Sequence, residues 1–175
     1  MMDHYYTKTP RSRFATEEID VHLRGQSFRI LTASGTFSRK KVDTGTALLV
    51  DNAEIEDGWD ILDLGCGYGV VGITLARAFP RSKVLMTDIN ERAVGLARKN
   101  SKGMGNVEVI SGDAFEKVDR SFDAILLNPP QNAGKELCFR RIEEAKDHLK
   151  KGGRLQLVAR HQKGGKSLDE KMKEV

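Results

Sequence analysis

The chain has 175 residues, 39% hydrophobic and 31% charged, enough for one domain with a substantial core and ordinary for a soluble α/β protein. No run approaches the roughly eighteen apolar residues of a membrane span. The first residues lack a signal-peptide core, and Cys66, Cys138 and four scattered histidines form neither a disulfide framework nor a zinc motif. A membrane protein, a secreted scaffold and a metal site are therefore not expected, and the expected compartment is the cytoplasm. The net charge of +4 lies wholly in residues 1–41, which hold eight Lys or Arg against four acids, while the remainder balances 21 against 21. A basic arm on a neutral body suits a polyanion such as RNA, although four charges are also what a solvated surface carries.

In chain order, residues 3–16 are polar and aromatic without a period. Ile19 to Leu23 and Phe28 to Ile30 alternate apolar and polar about a turn at Arg24-Gly25-Gln26, the pattern of a β-hairpin. A short helix is expected over 44–53, burying Ala47, Leu48 and Val50. From residue 59 strand and helix alternate: strand 59–64, helix 68–79 stopped by Pro80, strand 83–87, helix 90–101 capped by Asn90, strands 107–110 and 122–127, helix 134–150, strand 154–160 and a helix from about 165. Cys138, Ile142, Ala145 and Leu149 recur at helical spacing, and Gly152-Gly153 is read as the release into the next strand. Continuous apolar strands between helices predict a doubly wound, mostly parallel sheet covered on both faces. Residues 1–58 read as a basic arm, hairpin and helix packed on a ligand-binding core of 59–175, together one compact domain.

The glycine loop after the first core strand admits two registers. Gly67-x-Gly69-x-x-Gly72 matches a dinucleotide fingerprint, with Asp88 at the distance of a ribose-binding acid, and would make the chain a dehydrogenase. Asp63-x-Gly65-x-Gly67-x-Gly69 instead begins the turn where the apolar run ends, at Leu64, and is preferred for that reason. Asp88 and Asp113 then lie at successive strand ends, placed to accept from ribose hydroxyls and an adenine amino group. One such Asp is ordinarily a cap or turn residue; several along one sheet edge read more economically as a binding row.

Asp63-Leu-Gly-Cys-Gly-Tyr-Gly69, Asp88, Gly112-Asp113-Ala114 and Asn128-Pro129-Pro130 resemble the motifs of class I S-adenosylmethionine-dependent methyltransferases. Phe37-Ser38 through Asp43-Thr-Gly45-Thr46 resembles the small-domain group of ribosomal RNA guanine-N2 methyltransferases, particularly single-domain archaeal-type members. The resemblance implies a Rossmann-like methyltransferase fold in which Asp63, Gly65, Cys66, Gly67 and Gly69 surround the cofactor's methionine part. Asp88 would bind ribose with Ile89 beside it, Asp113 and Ala114 would border adenine, and Thr46 would lie near the cofactor's carboxylate.

Asn128, Pro129 and Pro130 then carry the chemistry. An exocyclic amine is a weak nucleophile because its lone pair is delocalised; the Asn128 side-chain oxygen and the Pro129 carbonyl can each accept one N–H and aim that lone pair, with no strong base required. The prolines stiffen this turn and withdraw a competing donor. The implied partner is RNA, ribosomal RNA or a subunit precursor, with guanine N2 as the expected acceptor. Two features depart from the pattern. Gln131 stands where many relatives carry a stacking aromatic, shifting base orientation to Phe37, Phe139, Tyr5 or Tyr6, and two further strands would be expected after Val175, so the chain is read as shortened. The alternatives are a protein glutamine methyltransferase and a non-catalytic, cofactor-binding RNA-assembly protein. Cys66 is read as a turn-packing residue, and His148, His161 and Lys163-Gly-Gly-Lys166 as surface features.

Overall fold

A computed structural model describes residues 15–33, 41–129, 134–159 and 165–174. Strands β1 (Thr16–Leu23) and β2 (Gln26–Ala33) form an antiparallel hairpin joined by Arg24 and Gly25. Both residues have positive φ, +48° and +72°, as a two-residue turn matched to strand twist requires. Gly25 adopts this without cost. Arg24 is held there by its partners: its guanidinium donates to the carbonyls of Val50 (2.7 Å) and Ala53 (2.8 Å) and lies 5.0 Å over the Phe79 ring. The hairpin is longer than its alternation, because Glu17 and Glu18 continue the backbone ladder while remaining exposed.

Helix α1 (Thr44–Asn52) is capped by Asp43. Its buried face is Thr46, Leu49 and Val50, and Leu48, expected inside, is 54% exposed. The helix contacts the hairpin and the first core helix along the 46/49/50/53 stripe, which turns position 48 outward.

The core alternates β3 (Asp60–Leu64), α2 (Val70–Ala78), β4 (Lys83–Asp88), α3 (Glu91–Asn100), β5 (Val107–Ser111), β6 (Phe122–Leu127), α4 (Lys135–Asp147), β7 (Leu149–Leu157) and α5 (Gly165–Glu174). The strands form one parallel sheet in the order β5-β4-β3-β6-β7. Alternation sorts the strand residues onto two faces. Ile61, Val84, Met86, Ala124 and Leu126 pack with the hairpin, α1, α2 and α3. Leu62, Leu64, Leu85, Ile125 and Leu127 pack with Phe115, Val118 and Ala145 of α4. Asn100 ties the hairpin to this body: its side chain pairs with both the N–H and the carbonyl of Leu31, and its amide also donates to the Tyr68 carbonyl in the glycine loop.

One boundary differs from expectation. α4 ends at Asp147, and β7 has begun by Leu149, so Gly152-Gly153 is a bulge inside the strand rather than its entrance. Lys150 draws the chain into the sheet early, with its ammonium 2.6 Å from Asp60 and 2.8 Å from Asp123. A Cβ at Gly153 would stand 2.7 Å from the Phe122 carbonyl oxygen, which explains glycine at the bulge.

Candidate active site

The chain runs outward from β3 through β4 to β5, then returns to β6 on the other side of β3. The carboxyl ends of β3 and β6 thus flank the topological switch point, where open α/β sheets bind ligands. A cavity of about 310 Å³ opens there, at the small end of the range for ligand pockets. Its walls include Gly65, Asp88, Ile89, Asp113, Ala114, Asn128 and Pro129, all expected site residues. Pro130, the third proposed catalytic residue, lies outside the described residues, as do Gln131, Phe37, Tyr5 and Tyr6.

The glycine loop is built against β4. Gly65 and Cys66 both donate their N–H to the Thr87 carbonyl at 2.9 Å, and Gly65, Gly67 and Gly69 all have positive φ, which a side-chain-bearing residue rarely adopts. The preferred register holds: β3 ends at Leu64 and α2 begins at Val70. The competing fingerprint's last glycine, Gly72, is a packing residue, since a Cβ there would sit 2.5 Å from Met86 Sδ.

Asp88, 3% exposed, joins the loop to the next turn. One carboxylate oxygen accepts from the Gly67 N–H and the other from the Asn90 N–H, both at 2.8 Å, while the residue lines the cavity. Asp63 is placed differently. It is absent from the cavity wall and accepts from the Gly72 N–H at 2.9 Å, anchoring the start of α2. Burial pushes its carboxyl up to about 7, against the Gly72 hydrogen bond and with a contribution from the Asp88 charge. Cys66, Gly67, Gly69 and Thr46 likewise stand outside the wall; Cys66 is buried, its thiol pushed up by burial and by Asp63 and Asp88, which agrees with a packing role.

Asp113 and Ala114 form the opposite wall, Ala114 with φ of +49°. One Asp113 oxygen accepts from Arg141 of α4, whose other arm meets Glu144 at 2.7 Å. Arg141, Arg140, Leu137, Cys138, Thr87, Leu64 and Leu127 complete the lining and are not among the ligand residues expected from sequence. The spacing of Cys138 and Arg141 on one α4 face was visible, but it does not tell packing from lining.

At the end of β6 the Asn128 amide nitrogen donates to Thr46 Oγ1 (2.9 Å) and Asp43 Oδ2 (3.2 Å). Asp43 Oδ2 also accepts from the Thr46 N–H (2.9 Å) and the Thr46 hydroxyl (3.1 Å). Thr46 therefore meets Asn128 rather than the cavity itself.

A polar ligand is indicated by Thr87. It is 1% exposed, lines the cavity, and is the one residue among those described whose buried side-chain oxygen has no hydrogen-bond partner. Buried polar atoms are nearly always satisfied. A cavity with a carboxylate on one wall, an unsatisfied hydroxyl and apolar surface from Leu64, Ile89, Ala114 and Leu127 fits a nucleoside-bearing cofactor.

The sheet order, the glycine loop stapled by Asp88 and Asn128 at the neighbouring strand end are those expected of an S-adenosylmethionine-dependent methyltransferase. The chain belongs to the methyltransferase small domain family, whose model matches residues 27–175. The uncharacterized protein YbxB of Bacillus subtilis is 39% identical over all of this chain and 90% of its own length. Ribosomal RNA small subunit methyltransferase C of Haemophilus influenzae is 36% identical over 79% of this chain, which spans only 43% of that protein. The 16S rRNA N2 G1207 methyltransferase (RsmC) of T. thermophilus, solved with AdoMet and guanosine, superposes with a TM-score of 0.77 over 93% of this chain and 47% of its own, at 24% identity. That likeness supports the fold.

Proposed function

We propose that the protein transfers the methyl group of S-adenosylmethionine to the exocyclic amine of a base in RNA, guanine N2 of small-subunit ribosomal RNA, and does so in the cytoplasm. The observation that carries this reading is the placement of Asn128 and Pro129 on the wall of the same cavity as Gly65 and Asp88. The curated relatives named for small-subunit ribosomal RNA methylation support the substrate, as does the +4 charge concentrated in residues 1–41.

When bound, S-adenosylmethionine would supply a methyl on a positively charged sulfur, to which the substrate amine nitrogen would bond as the carbon–sulfur bond breaks, its electron pair leaving with a neutral thioether. The protein's part is binding and aim. Asp88 would hold the ribose, and Asp113 with Ala114 would border the adenine. Asn128 Oδ1 and the Pro129 carbonyl each accept one N–H of the amine, point its lone pair at the methyl and stabilise the positive charge growing on nitrogen. Water takes the proton after transfer. A base paired in a helix must be unstacked to reach this turn.

Asn128→Ala tests the assignment. Methyl transfer to small-subunit ribosomal RNA is expected to fall on the order of 100-fold or more, as when one oxyanion-type acceptor or donor is removed, while calorimetric affinity for S-adenosylmethionine persists. An unchanged transfer rate sinks the catalytic role of Asn128.

A further inference from the structure

We propose that Asp43 and Thr46 are positioning residues that lock the Asn128 amide with its oxygen available to the substrate amine, so that α1 is part of the catalytic apparatus. The proposal rests on the reading of Asn128 as the residue that receives the amine.

An Asn side chain is nearly symmetric in shape but opposite in hydrogen-bonding sense at its two ends. For methyl transfer the sense decides the outcome: the oxygen attracts an amine N–H, whereas the NH₂ group would repel it. Nothing on β6 itself sets that choice. The setting comes from residues 82 and 85 positions earlier, where Thr46 Oγ1 and Asp43 Oδ2 receive the Asn128 amide nitrogen at 2.9 and 3.2 Å. An ionised carboxylate only accepts, so the inverted amide would put Asn128 Oδ1 against Asp43 Oδ2. Thr46 could in isolation present either a proton or a lone pair, but its hydroxyl donates to the same Asp43 oxygen at 3.1 Å, which turns a lone pair toward Asn128. One carboxylate thereby fixes both the hydroxyl and, through it, the amide.

Asp43 is itself fixed. It is the N-cap of α1, accepting from the Thr46 N–H at 2.9 Å. Burial acts to raise its carboxyl, but donors from the Thr46 backbone, Asn128 and the Gly45 backbone outweigh this and hold it below the ordinary range, so the acceptor-only form persists. Gly45 keeps the corner narrow: a Cβ there would lie 3.2 Å from Asp43 Oδ2 and 3.6 Å from Asn128 Oδ1. The Asn128 oxygen and the Pro129 carbonyl then present acceptors only. The acceptor class that follows is a primary amine with two N–H groups, and a carbonyl or ring-nitrogen edge is rejected.

The test uses Asp43→Asn, Thr46→Val and Thr46→Ser in the full chain, with S-adenosylmethionine and small-subunit ribosomal RNA as substrates. Asp43→Asn keeps the cap's shape but lets both amides invert; Thr46→Val removes the hydroxyl and keeps the volume. Both are expected to lower kcat by about 10- to 100-fold, the scale of a misaligned reacting group, with cofactor Kd within about twofold by the same criterion that only aim is lost. Thr46→Ser should recover most of the rate that Val loses. A kcat loss that Ser does not rescue, or one matched by equal loss of cofactor affinity and thermal stability, would mean a structural cap only. Each change is then repeated in the Asn128→Ala background. There neither should lower the residual rate further; an undiminished additional loss would overturn positioning through Asn128. If Asn128→Ala alone were fully active, the parent reading would fail by itself, a result distinct from any of these.

Discussion

The two ends of the central sheet use the same residue types for opposite ends. At the amino edge Asp60 and Asp123 clasp Lys150, and Asp123 also accepts from the Asp60 N–H at 2.8 Å, which fastens β3, β6 and β7 together. At the carboxyl edge Asp63 is buried with no salt-bridge cation among the described residues, Asp88 is held by two backbone N–H groups beside a cavity, Thr87 carries an unsatisfied hydroxyl and Ala114 a left-handed backbone. One edge pairs its charges with each other, and the other brings Asp88 and the unsatisfied Thr87 hydroxyl to the wall of a cavity. A left-handed Ala114 and the unmet hydrogen bond of Thr87 both stand on the cavity wall, and neighbouring structure must over-determine them.

The largest effect expected from this contrast is on stability against pH. The Asp63 carboxyl, raised from 3.8 to about 7, binds a proton in the folded chain between those values when the unfolded chain does not. Stability therefore falls as pH rises through that window, by up to about 4 kcal/mol at 1.36 kcal/mol per decade of proton affinity. Asp123 has the opposite sign: despite the burial that opposes it, its hydrogen bond and charge contact with Lys150 hold it low, so its contribution is present above about pH 4 and is lost as pH falls through the folded value. Asp63→Asn should abolish the decline between pH 5 and 8 in urea unfolding and make the variant more stable than the parent at pH 8. A parallel decline in both would show that Asp63 is not its source.

Next in size is the clasp. Lys150→Met leaves Asp60 and Asp123 facing one another and should cost about 1 kcal/mol, discounted because all three groups are partly exposed and screened. The loss should shrink in molar salt, and cofactor affinity should not change. A tenfold loss of cofactor affinity would erase the functional division between the edges.

How far the sequence discloses this arrangement depends on how local each cause is. The glycine loop, the Asn90 cap and the ends of β4 and β6 are legible because Gly, Asn and Pro impose backbone geometry on their immediate neighbours. The same locality identifies Asp88 and Asn128, each one or two residues beyond an apolar run, whereas Ala114, four residues beyond Ile110, is indicated by the resemblance of Gly112-Asp113-Ala114. The orientation of Asn128 is not legible from β6, since it is set by Asp43, 85 residues away. The end of α4 is not legible for the same reason: Lys150 continues a helical pattern by sequence, and its partners lie 27 and 90 residues off. The phase of α1 is not legible either, because its four apolar residues Ala47 to Val50 are consecutive and fit more than one phase, and only packing against the hairpin and α2 chooses between them.

The smallest effect separates the two edges most finely. Thr87→Val replaces a hydroxyl by a methyl of nearly the same volume at a position 1% exposed. Were the hydroxyl only a defect, its removal would relieve an unsatisfied buried group and nothing else, stabilising the fold by about 1 kcal/mol. If the oxygen is reserved for the cofactor, the same substitution must also weaken binding, because the ligand's polar atom would then face a methyl group in a dry wall. The two readouts should therefore move in opposite directions: a higher Tm in thermal unfolding, and S-adenosylmethionine affinity lower by about three- to tenfold, the worth of one neutral hydrogen bond. A higher Tm with unchanged affinity would make Thr87 a packing imperfection, and the polar side of the site would then rest on Asp88, Asp113 and Asn128.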